Sequence, residues 1–450
     1  MKSPLFSLLL LSASLLAASA AARDFTLTVL STNGTARNPV VSPSGFVAWQ
    51  QFSEDAYESV SAPSDVMLWK DGTAKNITAE DGRIAGRARR LSAGSNALVF
   101  LAPALPEPGG RELSLAIPEK SPAMLDLEQE YPSLFEATPS ATASQPGSDS
   151  PAPADPASAD PSAPASDETF QKANRGAGGD VDDVYWYDIS AGNLERVTPG
   201  NLEFLSPVVC DSGVATLAAR RWPYGYEMVV WKAGAETLSQ ITTNYYYVLN
   251  PNARGHELVF QAWDGYDYEI FHYDFDSGEL RQITQNTFDD LSPVVCDGQI
   301  AWVACPTVET EIFFWREGSI LKISSGSTAN DLPSIWNGRV VWQGLDEDGD
   351  LEIYYFDGRR TVKLTSNAWD DIAPKIADGI IAWSAYVNNW DAEAMALDLS
   401  DNLAVQLTDN DYEDTGVQTA GESVVWQTVT PEGSRVQLAR PNAPRAEPLE

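Results

Sequence analysis

The seven residues LSPVVCD occur twice in this chain, at 205–211 and again at 291–297. The proline of this heptapeptide belongs to a longer series that returns every 40 to 44 residues, with one Val in place of Pro: Pro207, Pro251, Pro293, Pro333, Pro374 and Val417. Self-similarity at a fixed period of this length indicates a repeat architecture, in which each unit buries its apolar face only against its neighbours. The period therefore constrains the fold more than any other feature of the sequence.

Each repeat has the same internal order of segments. We call each position of this proline series the marker. Nine residues after the marker, a bulky side chain ends an apolar run, at Phe260, Trp302, Trp342, Trp383 and Trp426. An acidic residue then opens another strand, as in EIYYFD at 352–357, and a last strand closes on an aliphatic residue followed by Thr or Ser. Short apolar segments separated by turn residues are typical of β-strands, so each repeat predicts four strands. We expect the repeated tryptophans to pack in the core between repeats.

Two diverged copies precede these repeats. FVAW at 46–49 belongs to the first, and ALVF at 97–100 with DVYWYD at 183–188 belongs to the second. Residues 102–180 interrupt the second copy. We expect the part at 137–180 to be disordered, because it is rich in Ala, Pro, Ser and Asp and has too few bulky apolar side chains to offset the entropy of ordering.

The two ends of the chain complete one repeat between them. The last segment, 416–440, supplies three strands, and FTLTVLST at 25–32 is a lone strand with the ending typical of a fourth. A ring in which the first segment completes the last sheet leaves no open edge. Seven complete repeats and the shared one predict a single all-β domain over 23–450, an eight-bladed β-propeller with four-stranded blades.

The repeats resemble the WD40-like repeats of the TolB propeller domain, whose units read roughly as proline, a DG turn, an apolar strand, EIY and LT. Matching segments include DG at 297–298, EIYY at 352–355 and KLT at 363–365. The resemblance covers the chain after residue 22 apart from the insertion. It implies a propeller in which the loops between second and third strands share one rim with the connections between blades. This chain differs from TolB in having more blades, and it shows no nucleophile elbow of the hydrolase domain that follows related propellers.

Leader sequence and charge restrict location and partners. Residues 1–22 carry one Lys, a short apolar run and small residues before 23, which predicts a secretory signal peptide and an exported protein, periplasmic or extracellular. No later window predicts membrane insertion. A formal net charge of −35 argues against nucleic acid as a partner. Three Cys and two His argue against a disulfide framework and His-based catalysis. We expect the two Cys of the heptapeptides, Cys210 and Cys296, to be small buried residues, and the protein to be a monomer.

Acidic residues recur at two places in the repeats. The first place opens the third strand: Asp65, Asp183, Glu227, Glu269, Glu311, Glu352 and Glu393. Repetition in nearly every blade favours a local backbone or hydroxyl partner over a ring of cation ligands. The second place precedes the marker, as pairs that we interpret as turn residues bonding their own backbone: Asp289 with Asp290, Asp370 with Asp371, and Asn330 with Asp331.

One loop has the spacing of a cation site. In LDEDGDLE at 345–352, acidic residues alternate around Gly349: Asp346, Asp348, Asp350 and Glu352. Carboxylates offered in this way are the ligands that Ca²⁺ prefers, although the loop is not an EF-hand, because its Gly comes too early and the distal bidentate Glu is missing. The alternatives are a Ca²⁺ site and a plain solvated hairpin. We expect no other cofactor.

Aromatic and basic side chains in rim loops are the candidate ligand-binding residues. The aromatic candidates are Trp222, Tyr224, Trp263, Tyr266, Trp369 and Trp390, and the basic ones are Arg220 and Arg221. Flat amphipathic rings on rigid loops suit stacking on sugars or anchoring a protein partner, although rings that only shield the rim fit the sequence equally well. For the arginines, pairing with neighbouring acids is the alternative to an anion site.

These features favour an exported, non-enzymatic binding module for a protein or a surface glycan. The alternative is a glycan-active lyase or hydrolase built on rim carboxylates, with or without Ca²⁺. An enzyme would gather acids and aromatics around one deep axial pocket, whereas a binding module would spread them over a broad surface.

Overall fold

The computed structural model describes residues 24–31, 34–53, 64–79, 82, 84–103, 110–113, 182–200, 202–221, 224–243, 247–388 and 390–442. Within these ranges the regular elements are β-strands, and they pair antiparallel in eight separate sheets of four. In the part of the chain described here, no helix has the length and apolarity needed to cross a membrane. The predicted all-β class is confirmed.

Each sheet is one blade, and blades 1 to 7 follow the chain strand by strand from the axis outwards. The strands of blades 1 to 4 are β2 (Ala36–Val41), β3 (Val47–Phe52), β4 (Ser64–Lys70) and β5 (Thr73–Asn76); β6 (Arg89–Ala93), β7 (Ala97–Pro103), β8 (Asp182–Asp188) and β9 (Asn193–Arg196); β10 (Phe204–Cys210), β11 (Gly213–Arg221), β12 (Tyr224–Lys232) and β13 (Ser239–Gln240); β14 (Val248–Arg254), β15 (Glu257–Trp263), β16 (Tyr268–Asp274) and β17 (Leu280–Gln282). The strands of blades 5 to 7 are β18 (Asp290–Cys296), β19 (Gln299–Ala304), β20 (Glu311–Arg316) and β21 (Ser319–Lys322); β22 (Thr328–Trp336), β23 (Arg339–Leu345), β24 (Leu351–Phe356) and β25 (Thr361–Lys363); β26 (Asp371–Ala377), β27 (Ile380–Asn388), β28 (Asp391–Asp398) and β29 (Leu403–Gln406).

Blade 8 combines the two ends of the chain. It contains β30 (Glu413–Ala420), β31 (Ser423–Thr430) and β32 (Gly433–Pro441), and its outer strand is β1 (Phe25–Val29). β1 pairs antiparallel with β32, from Phe25 opposite Pro441 to Val29 opposite Gln437. The predicted eight blades and the predicted closure by the first strand are confirmed.

The repeated tryptophans of the second strands lie in the core, as expected. Trp49, Trp302, Trp342, Trp383 and Trp426 are each at most 2% exposed. Apolar clusters join neighbouring blades, and one of them brings Ile380 of blade 7 against Trp426 of blade 8. Cys210 and Cys296 are free and buried, and burial raises the pKa of both thiols to about 11. Both cysteines therefore act as small packing residues.

A β-bulge interrupts every inner strand at the residue before the marker position. That residue has φ between 46° and 65° in all eight blades: Asn38, Arg90, Ser206, Asn250, Ser292, Leu332, Ala373 and Gly416. A left-handed conformation costs a non-glycine residue about 1–2 kcal/mol. The backbone N–H of Ser292 donates to Gln261 of the preceding blade, and that of Ala373 donates to Gln343, both at 2.8 Å. At these positions the bulge links neighbouring blades close to the axis.

The expected signal peptide at 1–22 and the expected disordered segment at 137–180 lie outside the described residues. The blade 2 ladder continues through Ala102 and Pro103, which pair with Asp183 and Asp182, so the second strand ends at Pro103.

Residues 110–113 of the insertion are described, and they dock between the outer edges of blades 2 and 3. Arg111 lies over the Trp231 ring, with 3.9 Å from its guanidinium carbon to the ring centroid, and pairs with Glu195 at 2.5 Å. The backbone N–H of Arg111 donates to the carbonyl of Val197, and Glu112 forms a parallel bridge with Thr237. This short stretch covers two sheet edges that would otherwise expose unpaired backbone groups.

Ring closure generates a prediction about stability. Deleting residues 23–30 removes β1 and leaves β32 as an open edge, so we expect the free energy of unfolding to fall by several kcal/mol, at about 1 kcal/mol for each backbone hydrogen bond lost. Chemical denaturation followed by tryptophan fluorescence measures this. Leu27→Thr, at a half-exposed position of the same strand, is the matched control and should unfold like the wild type. An unchanged midpoint in the deletion would contradict the role of β1.

Candidate functional site

The strand order places two sets of loops on one side of the ring. Connections between second and third strands and connections between blades leave the sheets at the same end, which we call the loop face. Among the described residues, the exposed aromatic side chains all lie on the loop face: Tyr247, Tyr266, Trp369, Trp390 and Tyr412. These five aromatic side chains belong to the connection from blade 3 to blade 4 and to blades 4 to 8.

The predicted aromatic residues differ in exposure. Trp390 is 84% exposed and Tyr266 82%, whereas Trp369 is 39% exposed. Trp263 is half-buried and packs edge-on against Tyr268, with 5.3 Å between ring centroids, so it supports its loop. Tyr412 was not among the predicted residues.

Four other predicted residues receive no test. Trp222 lies outside the described residues, as do the side chains of Tyr224, Arg220 and Arg221. Their role in binding stays a prediction. Another arginine, Arg89 at the start of β6, pairs with an acid and bonds Asp182 at 3.0 Å.

The loop face is acidic over blades 4 to 8. Its loops there span 264–267, 283–289, 305–310, 323–327, 346–350, 364–370, 388–390, 407–412 and 431–432 and contain neither Lys nor Arg. Exposed acids in these loops include Asp264, Glu309, Asp348, Asp370 and Asp411. The loops around the exposed aromatics therefore carry net negative charge, and this surface favours basic or uncharged ligands.

The acids that open the third strands have local partners, as expected. In blades 1, 2, 3 and 5 the closing Thr or Ser donates its hydroxyl to the acid: Thr78 to Asp65, Thr198 to Asp183, Thr242 to Glu227, and Ser324 to Glu311. In blades 4, 6 and 7 the acid accepts a backbone N–H, from Asn286 to Glu269, from Asn367 to Glu352 and from Asn410 to Glu393, at 2.7–2.9 Å. These residues stabilise the blades locally.

The acid pairs before the marker do more than shape turns, which corrects the interpretation from sequence. The first member, Asp289 or Asp370, accepts a backbone N–H at the start of the preceding blade's third strand. The second member is buried and accepts the indole N–H of the repeated tryptophan 12 residues later: Asp290 from Trp302, Asp371 from Trp383 and Asp414 from Trp426, at 2.7–2.9 Å. Asn330 accepts from Trp342 in the same way.

An asparagine completes this network. Asn286, Asn367 and Asn410 donate their side-chain amides to Asp290, Asp371 and Asp414, each four residues later. Burial raises the pKa of Asp290 to about 7 although Trp302 and Asn286 donate to it, and burial raises the pKa of Asp371 and Asp414 as well. All three residues are at most 2% exposed, so their carboxyl groups are placed to stabilise their own blades rather than to reach a substrate.

Two loops gather three carboxylates each. In blade 6, oxygens of Asp346, Asp350 and Glu352 lie within 4.8 Å of one another, so three of the four predicted Ca²⁺ ligands come together, and Asp348 is not part of this group. Lys363 pairs with Asp346 and lies 3.5 Å from Glu352. Blade 4 has an equivalent group that sequence reasoning missed: Asp264, Asp267 and Glu269. Ca²⁺ binding at 346–352 stays a prediction.

An axial cavity of about 310 Å³ lies among the inner strands of all eight blades, near the end opposite the loop face. Its lining is made mostly of Val, Ala, Pro, Ile and Gly, with Asn252, Arg254 and Lys375 among the polar residues. Asp211 is the one acid in that lining, and no aromatic side chain contributes. Burial lowers the pKa of Lys375, against the opposing effect of Asp331.

Comparison with solved structures gives many matches of low identity. A prolyl endopeptidase matches with 9% identity over 92% of this chain and 55% of its own, at a TM-score of 0.50. The propeller domain of the Trilobed protease from Pyrococcus furiosus matches with 10% identity over 80% of this chain and 99% of its own (TM-score 0.48), and TolB from Acinetobacter baumannii matches with 13% identity over 59% and 77% (TM-score 0.32). At these identities the likeness concerns the fold alone.

The chain spans about half the length of the acylaminoacyl peptidases that it matches, 51% in each case. No protein-family model matches the chain, and no curated protein matches it. The propeller expected from the TolB-like repeats is thus confirmed by the structure itself, while activity and partners remain matters for proposal.

The bond between tryptophan and acid predicts a coupled effect of two substitutions. Asp371→Val leaves the buried indole N–H of Trp383 without an acceptor, so we expect a loss of about 1–3 kcal/mol in the free energy of unfolding. Trp383→Phe in the same chain removes the stranded donor and should recover part of the loss, since Val248 and Phe260 form such a pair in blade 4. A double-mutant cycle by urea denaturation measures the coupling. Strictly additive losses would contradict it.

The raised pKa of Asp290 predicts a pH dependence. An unfolded Asp has a pKa of about 4, so between about pH 4 and pH 7 the folded protein binds more protons than the unfolded chain, and stability falls as pH rises. We expect a lower free energy of unfolding at pH 8 than at pH 5.5. The variant Asn286→Gly with Asp290→Asn copies Gly326 and Asn330 of blade 6 and should show a smaller fall. An equal fall in both proteins would contradict this assignment, because general charge repulsion would then explain it.

Proposed function

We propose that this protein is an exported, non-catalytic binding module that captures a partner on the aromatic and acidic part of its loop face. The partner is a protein or a surface glycan. The observation that carries the proposal is the distribution of exposed aromatic rings, all of which lie on the loop face among the described residues, from Tyr247 to Tyr412. Rings such as Trp390 and Tyr266 are anchors of the kind that dominate binding energies at interfaces.

The axial cavity supports binding over catalysis. A glycan-active enzyme would be expected to line a deep pocket with acids and aromatics, and the cavity of this propeller has one acid and no aromatic residue in its lining. Two of the carboxyl groups with raised pKa, Asp290 and Asp371, are buried and bonded to Trp and Asn side chains, so they are not open to a substrate. A broad surface on rigid loops fits capture of a large partner better.

The charge of the loop face favours a basic protein over an acidic one. Its loops in blades 4 to 8 contain acids and no Lys or Arg, so a partner with lysines and arginines around an apolar patch would be attracted and oriented. A neutral glycan stacked on Trp390 or Tyr266 is the other form of the proposal. The proposal of export rests on the signal peptide that the sequence predicts at 1–22.

The test is capture of partners by the purified protein. We expect Tyr266→Ala with Trp390→Ala to lose at least about tenfold in affinity, since removing an aromatic anchor typically costs 2 kcal/mol or more. Surface plasmon resonance against an envelope extract, beside a glycan array, measures binding. Capture of a basic protein should weaken steeply as salt is raised, whereas glycan stacking should not.

The control removes an exposed apolar side chain away from the loop face. Ile320, on the outer strand of blade 5, is 45% exposed, and Ile320→Ala should bind like the wild type. Both proteins should melt like the wild type, because the three side chains contribute little to the core. Undiminished capture by the Tyr266 and Trp390 variant would overturn the placement of the binding surface.

A further inference from the structure

The loops between second and third strands of blades 4, 6 and 7 differ at equivalent positions. Blade 4 has Asp264, Asp267 and Glu269, blade 6 has Asp346, Asp350 and Glu352, and blade 7 has Asn388, Asp391 and Glu393. The first residue caps its loop in the same way in each blade, accepting backbone N–H groups through its side-chain oxygen. The three loops therefore begin with the same kind of cap and differ in charge.

Asp267 is the side chain that this loop design does not explain. It is 6% exposed, and neither of its carboxylate oxygens has a hydrogen-bond partner, whereas the equivalent Asp350 and Asp391 each have one such oxygen and are less buried. Oxygens of Asp264 and Glu269 lie within 4.8 Å of it, and one oxygen of Glu269 is also buried without a partner. A buried carboxylate without a donor is costly, and two like charges beside it increase that cost. A positive charge placed among these three carboxylates would therefore stabilise them.

Blade 6 shows how a protein cation can balance the same arrangement. Lys363, two residues before the closing Thr of its blade, pairs with Asp346 and lies near Glu352. Arg196 and Lys322 occupy the matching positions of blades 2 and 5 and pair there with Asp183 and Glu311.

In blade 4 the matching residue is Gln282, which is uncharged. Its amide donates to the carbonyl of Thr284 at 2.8 Å. Among the residues that the structure describes, no Lys, Arg or His pairs with the three acids of blade 4.

We propose that Asp264, Asp267 and Glu269 bind a divalent cation, with Ca²⁺ as the preferred ion. A set made entirely of carboxylate oxygens suits Ca²⁺, Mg²⁺ or Mn²⁺ rather than metals that favour nitrogen or sulfur ligands. Ca²⁺ accepts irregular sets of six to eight oxygens, whereas Mg²⁺ demands a near-ideal octahedron. Asp264 is exposed, so solvent can supply the remaining oxygens on its side of the site.

This inference goes beyond the proposed function and does not depend on it. A bound ion would neutralise Asp267 and hold the loop that carries Tyr266, whatever that ring contacts. The ion belongs to blade 4, whereas the sequence pointed to the loop at 346–352 of blade 6.

Calorimetric titration of CaCl₂ into chelator-treated protein, with thermal melting beside it, tests the proposal. In the wild type we expect about one ion per chain and a rise in melting temperature of about 2–4 °C at saturating Ca²⁺. Asp267→Asn keeps the shape of the side chain and removes its charge. This variant should lose both the binding and the rise, and in chelator it should melt no lower than the wild type because a buried unpaired charge is gone.

The matched control is Asp350→Asn, the same substitution at the equivalent position of blade 6, which should bind Ca²⁺ like the wild type. Absence of binding in the folded wild type at millimolar Ca²⁺ would overturn the proposal. Binding that survives Asp267→Asn and is lost in Asp350→Asn would overturn it too, in favour of the loop at 346–352.

A second variant keeps the proposal testable should Asp267→Asn fail to fold. Lys363→Gln converts the blade 6 group into a copy of the blade 4 group, so we expect about two ions per chain. A stoichiometry unchanged from the wild type would count against the idea that these three carboxylates suffice to hold an ion.

Discussion

Closure of the ring by β1 on β32 is the constraint on which the rest of the structure depends. Each blade buries its faces only against its two neighbours, so a gap at one place would expose two sheets at once. The side chains of Leu27 and Val29 are 46% and 49% exposed, which means that β1 is held by its backbone ladder more than by side-chain burial. Inside blade 8, Val425, Val436 and Leu438 pack in one cluster with Trp49 of blade 1. The closure of the ring therefore combines a backbone ladder within blade 8 with an apolar contact between blade 8 and blade 1.

The first and second strands of a blade are joined in two chemically different ways, and pairs of positions in the sequence carry a signal for the difference. Where the residue nine positions after the marker is Trp, the residue three positions before the marker is Asp or Asn: Asp290, Asn330, Asp371 and Asp414. Where it is Phe260, the partner position holds Val248. A buried indole must place its N–H on an acceptor, whereas a phenyl ring needs none, so the two positions change together. Comparing repeats in pairs of positions would have identified these aspartates as core residues rather than turn residues.

The number of blades, the tryptophan core and the closure could be predicted because the types of residue along the chain reveal both the period of the repeats and the buried positions. The bulges of the inner strands could not, because residues as different as Arg90, Leu332 and Ala373 take the left-handed conformation at the same place. The geometry of the ring imposes that conformation, so it cannot be predicted from the conformational preferences of the residues themselves. The carboxylate group of blade 4 was missed for a related reason. Its spacing, DGYDYE, is less regular than DEDGD, and the residue that decides its charge balance, Gln282, lies on another strand.

The acidity of the loop face destabilises the folded protein, but the apolar contacts between blades limit this effect. A net charge of −35 destabilises a compact state through self-repulsion, but the acids of blades 4 to 8 lie in loops beyond the apolar clusters that hold the blades together. Repulsion among them is relieved over two different ranges. A cation within one loop acts over a few ångströms and is little screened, whereas a basic partner acts across the surface and is screened over about 10 Å at ordinary ionic strength. High salt should therefore distinguish the two effects. It weakens the attraction of a basic partner, whereas the partly buried carboxylates of one loop still need a bound cation to balance their charge.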